Sequence, residues 1–278
     1  MGAFGLKFRK EFGQNFLTNV SVVEDIADLC CDSADSTILE IGPGIGVLTK
    51  ELAERYSKVI ALEIDKSLIP VLSYTLGEYK NVEVINEDVM KTDLEALLAP
   101  YFEKGRVSVC ANLPYYITTP ILMKLIESRL PFDSITVMVQ AEVADRLCAD
   151  AGKGDYGAIT AVLSYYGETE MLMRVSADNF IPAPKVDSAV VRINLYREIP
   201  YKPKDERLLF RTIKAAFEQR RKTLANSLSS GFSELSKERI GEIISECGHR
   251  ADIRGEKLSI EDFVALSDRL YCELHADQ

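Results

Sequence analysis

Apolar positions along the chain change their spacing in a regular order. Val22, Val23, Ile26, Ala27 and Cys30 recur at three- and four-residue steps, which predicts a helix over 22–30. Short, nearly continuous apolar runs follow at 37–41, 58–65, 82–89, 107–110 and 135–140, each bounded by turn residues or charge. Runs of that length read as buried strands. Helical spacing separates or follows several of them, at 47–55, 121–127 and 142–149, and a closing strand is expected over 189–195. Strands alternating with helices predict an α/β fold built on a parallel sheet. After a linker-like stretch at 196–203, the pattern becomes helical only, at 208–217, 224–228, 237–247 and 260–270. Ser259-Ile260-Glu261-Asp262 reads as a capped helix start. The expected organisation is a catalytic-type α/β domain over 1–195 and a small helical domain over 196–278.

The polar residues that interrupt this pattern fall where the strands end. The first strand runs into Gly42-Pro43-Gly44-Ile45-Gly46, a turn whose glycines permit unusual φ values and close approach of a ligand to the backbone. A dinucleotide fingerprint reads Gly-x-Gly-x-x-Gly. Here the third glycine comes one residue early and Glu40 precedes the turn, the spacing of Rossmann-like folds that bind S-adenosylmethionine. The second run carries Glu63, placed to accept both hydroxyls of a ribose, and the third carries Asp88, placed to accept from an adenine amino group. Either acid could instead cap the helix that follows its strand. The fourth run ends at Asn112. Gly42, Glu63, Asp88 and Asn112 then line one carboxyl edge of a parallel sheet, where ligands of open α/β folds bind.

Asn112-Leu113-Pro114-Tyr115-Tyr116 is the stretch around which this edge is organised. Pro114 restricts its neighbour to extended backbone and offers a carbonyl without an N–H. Such a loop presents an amide oxygen, a main-chain carbonyl and an aromatic face toward one spot, which suits a planar base with an exocyclic amine. Asn112, Leu113, Pro114 and Tyr115 are the expected catalytic residues. Further along, Pro182 and Pro184 stiffen an extended segment carrying Phe180 and Lys185. Phe180 is read equally well as a base-stacking ring or as core.

Charge adds a partner. The net charge of −10 argues against indiscriminate binding to nucleic acid, yet residues 197–222 hold nine basic against four acidic side chains. Arg220, Arg221 and Lys222 close that strip. Six cysteines, at 30, 31, 110, 148, 247 and 272, form no Cys-x-x-Cys pair, and the two histidines, His249 and His275, are read as too isolated from one another to build a triad or a zinc centre. Reduced thiols are expected, with no metal centre. No apolar run reaches the ~18 residues of a membrane helix. The charged, glycine-broken start is unlike a secretory signal, so a cytoplasmic location is expected.

Taken together these stretches resemble the KsgA family of small-subunit ribosomal RNA adenine dimethyltransferases. The resemblance is carried by Gly13-Gln14-Asn15-Phe16-Leu17, Glu40 to Gly46, Glu63-Ile64-Asp65, Asn112-Leu113-Pro114-Tyr115, Phe180 to Ser188 and Gln219 to Leu228, nearly the whole chain. It implies S-adenosylmethionine contacts at Asn15, Leu17, Gly42, Gly44, Glu63, Asp88 and Asn112. It implies N6,N6-dimethyladenosine at two adjacent adenosines of small-subunit rRNA as product. RNA contacts are expected at Tyr115, Tyr116, Phe180, Lys185, Arg220, Arg221 and Lys222, with a monomer acting on a pre-assembled small subunit in ribosome biogenesis. Glu218 and Tyr116 stand where the family pattern has small residues. The rivals are a large-subunit rRNA methyltransferase of the macrolide-resistance type and an assembly factor that acts by binding.

Overall fold

The structure is a computed structural model and describes residues 16–219 and 221–276. Its strands, in chain order, are β1 (Phe16–Leu17), β2 (Thr37–Ile41), β3 (Lys58–Leu62), β4 (Val82–Ile85), β5 (Val107–Asn112), β6 (Ser134–Gln140), β7 (Gly167–Val175), β8 (Phe180–Ile181) and β9 (Ser188–Leu195). Seven of them form one sheet in the order β4-β3-β2-β5-β6-β9-β7. The first five in that order pair in parallel, and β9 runs antiparallel to β6. Ile38, Leu39, Val59, Ile60, Val107 and Val109 are wholly buried. That is why the central runs read as continuously apolar: a parallel strand covered on both faces has no solvent side. At the edge, β4 carries Glu83, which pairs with Lys58 at 3.0 Å and keeps that edge charged.

Helices α1 (Val20–Asp28), α2 (Val47–Arg55), α3 (Ile69–Thr75), α4 (Leu94–Phe102) and α5 (Thr118–Glu127) make the connections. From β2 the chain steps outward to β3 and β4, then returns to the other side of β2 for β5. This reversal creates a switch point between the carboxyl ends of β2 and β5, the place where such sheets open a crevice. β1 pairs antiparallel with β8, placing Leu17 opposite Phe180. Asn19 caps α1 through Ser21 N–H and donates its amide to Asn179 Oδ1 at 2.8 Å, a further tie between these segments.

The chain divides into two compact units, one ending at Ala144 and taking up Glu170–Arg197, the other made of Asp145–Thr169 and the chain from Glu198 onward. After α6 (Ala141–Leu147), the second unit comprises α7 (Ala158–Tyr166), α8 (Glu206–Glu218), α9 (Leu224–Gly231), α10 (Lys237–Glu246) and α11 (Ile260–Leu274). A single boundary at 195/196 leaves out the segment 145–169, and aromatic packing explains why it joins the helices. Tyr166 stacks on Phe210 with centroids 5.8 Å apart, and Tyr156 meets Phe217 at 5.8 Å. Gly152 N–H also donates to Glu256 O at 2.7 Å.

Candidate active site

An open cleft lies at the carboxyl edge of the parallel strands. Each predicted tip contributes to it. Gly42, Gly44 and Gly46 all have positive φ, at 73°, 60° and 87°. At Gly44 a Cβ would also stand 3.1 Å from Phe16 Cε1, so both backbone geometry and space call for glycine. The Gly44 N–H donates to Glu63 Oε2 at 3.2 Å, and Asp65 N–H donates to Glu63 Oε1 at 2.7 Å. Glu63 is 4 % exposed. Burial pushes its carboxyl above the ordinary carboxylate range, against the pull of those backbone donors.

The capping alternative for these acids does not hold. Asp65, not Glu63, caps the short helix that follows β3, accepting from Ser67 N–H at 2.9 Å. Likewise Asp93, not Asp88, caps α4. Asp88 accepts from Met90 N–H at 2.9 Å in a tight turn, and its other oxygen lies 3.9 Å from Lys91 Nζ. Both acids therefore face the cleft for another reason than helix termination.

Asn112 ends β5 and is half-buried, and its side-chain amide makes no hydrogen bond among the described residues. The Leu113 carbonyl likewise accepts none there. The Pro114 carbonyl is occupied: Ile117 N–H donates to it at 3.1 Å and Thr118 Oγ1 at 3.3 Å. The Tyr115 hydroxyl is tied to Ser188 Oγ at 2.8 Å, which fixes the ring. Burial raises its phenol pKa while the Ser188 bond opposes the shift. Tyr116 also lines the cleft but is 64 % exposed.

The charge of the lining is one-sided. Glu40, Glu63, Glu87 and Asp88 contribute acids, and no Lys, Arg or His among the described residues lines the cleft. A phosphate-bearing dinucleotide would meet no basic side chain there, whereas the sulfonium and ammonium of S-adenosylmethionine would meet carboxyl groups. The residues present thus fit S-adenosylmethionine.

Other expected residues lie elsewhere. Leu17 lines the cleft from β1. Phe180 does not: it is 3 % exposed and packs in the core with Leu17, Val23, Ile26 and Val190, so of its two readings the structure gives packing. An apolar ring paired across a short strand from Leu17 is held by that pairing. Lys185 is exposed, as are Arg221 and Lys222 in the second unit. Asn15 and Arg220 lie outside the described residues. Sequence reasoning missed Phe16 and Ser188 as parts of the site, although both stand within stretches it singled out.

The chain matches the ribosomal RNA adenine dimethylase family over residues 5–270. It is 47% identical over 264 residues to "Ribosomal RNA small subunit methyltransferase A" of Alkaliphilus metalliredigens (strain QYMF), covering 95% of this chain and 92% of that protein. With the protein of the same name from Lachnoclostridium phytofermentans it shares 48% identity over 263 residues, 94% of this chain and 91% of that one. Among solved structures, a dimethyladenosine transferase from Plasmodium falciparum is similar in fold, with a TM-score of 0.77 at 24% identity over 94% of this chain and 98% of that one. The 23S rRNA methyltransferase ErmE is similar with a TM-score of 0.71 at 26% identity, over 92% of this chain and 100% of that one.

Proposed function

Because this chain belongs to the ribosomal RNA adenine dimethylase family, we propose that it uses S-adenosylmethionine to dimethylate the N6 amines of two adjacent adenosines near the 3′ end of small-subunit rRNA. Relatives at 44–48% identity carry the name of a small-subunit methyltransferase, which supports that subunit over the large one. One observation supports the mechanism: in an acid-lined cleft, the Asn112 side-chain amide and the Leu113 carbonyl have no hydrogen-bond partner among the described residues.

Bound in the cleft, S-adenosylmethionine supplies an activated methyl group on its sulfonium. Glu63 keeps a lone pair on each oxygen beyond those facing Gly44 and Asp65, and these accept the ribose hydroxyls. Asp88 would accept from the adenine amino group of the cofactor, and Leu17 would pack against its nucleoside. The chain's further task concerns the acceptor nitrogen, whose lone pair is delocalised into the adenine ring. Asn112 Oδ1 and the Leu113 carbonyl accept the two N6 hydrogens, so the nitrogen pyramidalises and its lone pair is free for in-line attack. Pro114 is excluded from that role because Ile117 and Thr118 already hold its carbonyl. These fixed dipoles stabilise the charge developing on N6. The face of Tyr115, held by Ser188, adds ~0.5–2 kcal/mol when desolvated. No strong base is required, since the methylated aminium is itself very acidic. After the first transfer a single N–H remains, so the second transfer proceeds with one of the two contacts.

Taking the target base out of a stack costs roughly a few kcal/mol. Stacking on Tyr115 and on the exposed Tyr116 returns ~1–3 kcal/mol per base. Arg221 and Lys222 of the second unit hold phosphates of the RNA in a cytoplasmic ribosomal particle, as does Arg220, their neighbour in sequence; Lys185 is a separate phosphate contact on the first unit. A pair of variants tests the division of labour. Asn112→Ala loses methyl transfer by about 10²–10³-fold and keeps RNA affinity. Arg221→Gln/Lys222→Gln keeps the cleft but flattens the salt dependence of RNA binding, its log–log slope falling by about one to two. Equal loss of transfer and binding in Asn112→Ala, or an unchanged slope in the double variant, contradicts the assignment concerned.

A further inference from the structure

Glu40 lies in β2, two residues before Gly42, and lines the cleft while being only 1 % exposed. Its Oε2 is buried without a hydrogen-bond partner among the described residues. An ionised carboxylate in that position needs a countercharge, because burying an unpaired charge is far costlier than burying the neutral acid. The surroundings supply none. Glu63 faces it from the tip of β3 and repels it; Cys110 is its register neighbour on β5; the Cys30 thiol approaches from beyond the end of α1 and is itself pushed up. From α2 comes the Thr49 hydroxyl, which is uncharged. Burial accordingly raises the Glu40 carboxyl to about 8, with Thr49 opposing the shift and Glu63 adding to it. No protein cation lines the cleft among the described residues.

We propose that Glu40 matches the charge of the cofactor: it stands as a neutral acid in the free cleft and gives its proton to solvent when a cationic ligand enters, so that binding S-adenosylmethionine releases a proton. The inference rests on the cofactor assigned above. In the exchange, the O–H bond of the Glu40 carboxyl breaks, the proton passes to buffer, and the carboxylate left behind is neutralised by the positive charge of the bound molecule. The residue thereby favours a cofactor that carries positive charge over a neutral nucleoside of the same shape. Glu63 cannot take this part, because backbone N–H groups from Gly44 and Asp65 already meet both of its oxygens.

Calorimetric titration of the full chain with S-adenosylmethionine, in two buffers of different ionisation enthalpy, counts the protons released. The wild type is expected to release close to one proton per cofactor at pH 6.5, and its Kd to tighten about tenfold from pH 6 to pH 7. Glu40→Gln, which keeps shape and burial, is expected to release none and to bind with a Kd that is flat over that range. The amine of the cofactor titrates near 8 and acts equally on both proteins, so the difference between them isolates Glu40. Equal proton release in the two proteins, or no tightening of the wild type between pH 6 and pH 7, overturns the proposal; the second reading stands even where the variant does not fold. A folded wild type that binds no S-adenosylmethionine at any pH refutes instead the cofactor assignment beneath it.

Discussion

Gly44 meets two demands at one position, a φ of 60° and a Cβ site 3.1 Å from the Phe16 ring, while its N–H holds Glu63. An alanine there bears ~1–2 kcal/mol of left-handed strain, which the loop relieves by shifting its N–H away from Glu63. Gly44→Ala is therefore expected to weaken S-adenosylmethionine binding about tenfold by calorimetry, and unchanged affinity contradicts the role given to this turn. That the glycine turn, Glu63, Asp88 and Asn112 come together on one cleft was legible in the sequence because each follows or ends a recognisable apolar run. What was not legible depends on contacts distant in the chain. Which of Leu113 and Pro114 keeps a free carbonyl is decided by how Ile117 and Thr118 fold back. The fate of Phe180 is decided by its pairing with Leu17, and the isolation of Glu40 by the absence of any basic side chain lining the cleft among the described residues.

At the scale of elements, α9 packs closely on α8 at Gly231. A Cβ on Gly231 would stand 2.5 Å from the Ala215 Cβ, a distance that atoms cannot keep without moving the helices. Gly231→Ala gains up to ~1 kcal/mol of helix propensity but costs about 1–3 kcal/mol in overpacking. The expected net effect is a lower melting temperature in thermal denaturation; a raised one contradicts this account of the contact. Periodicity located the central strands and most helices, because buried parallel strands and amphipathic helices leave distinct spacings. It passed over α3, a short helix that carries a proline in its first turn, and α4, which includes Pro100. The edge strand β7 was also hidden, since its exposed Glu168, Glu170 and Arg174 break any apolar run. The membership of 145–169 in the helical unit depends on aromatic contacts with residues far along the chain, which no local pattern records.

For the whole molecule, charge sets how RNA is chosen. A chain of net charge −10 with a basic strip confined to 197–222 is repelled by RNA in general and attracted where a phosphate array meets that strip. This charge distribution supports the proposal that the protein reads shape, which an assembled ribosomal particle supplies and free RNA lacks. No helix among the described residues is long and apolar enough to cross a membrane. The measurement that bears most directly on the account is methyl transfer itself. Purified protein and labelled S-adenosylmethionine are incubated with undermethylated small subunits, with large subunits and with the naked rRNAs, and the RNA is digested to nucleosides. The account predicts labelled N6,N6-dimethyladenosine from small subunits alone. Label in large-subunit RNA, or tight particle binding with no label in any RNA, contradicts it.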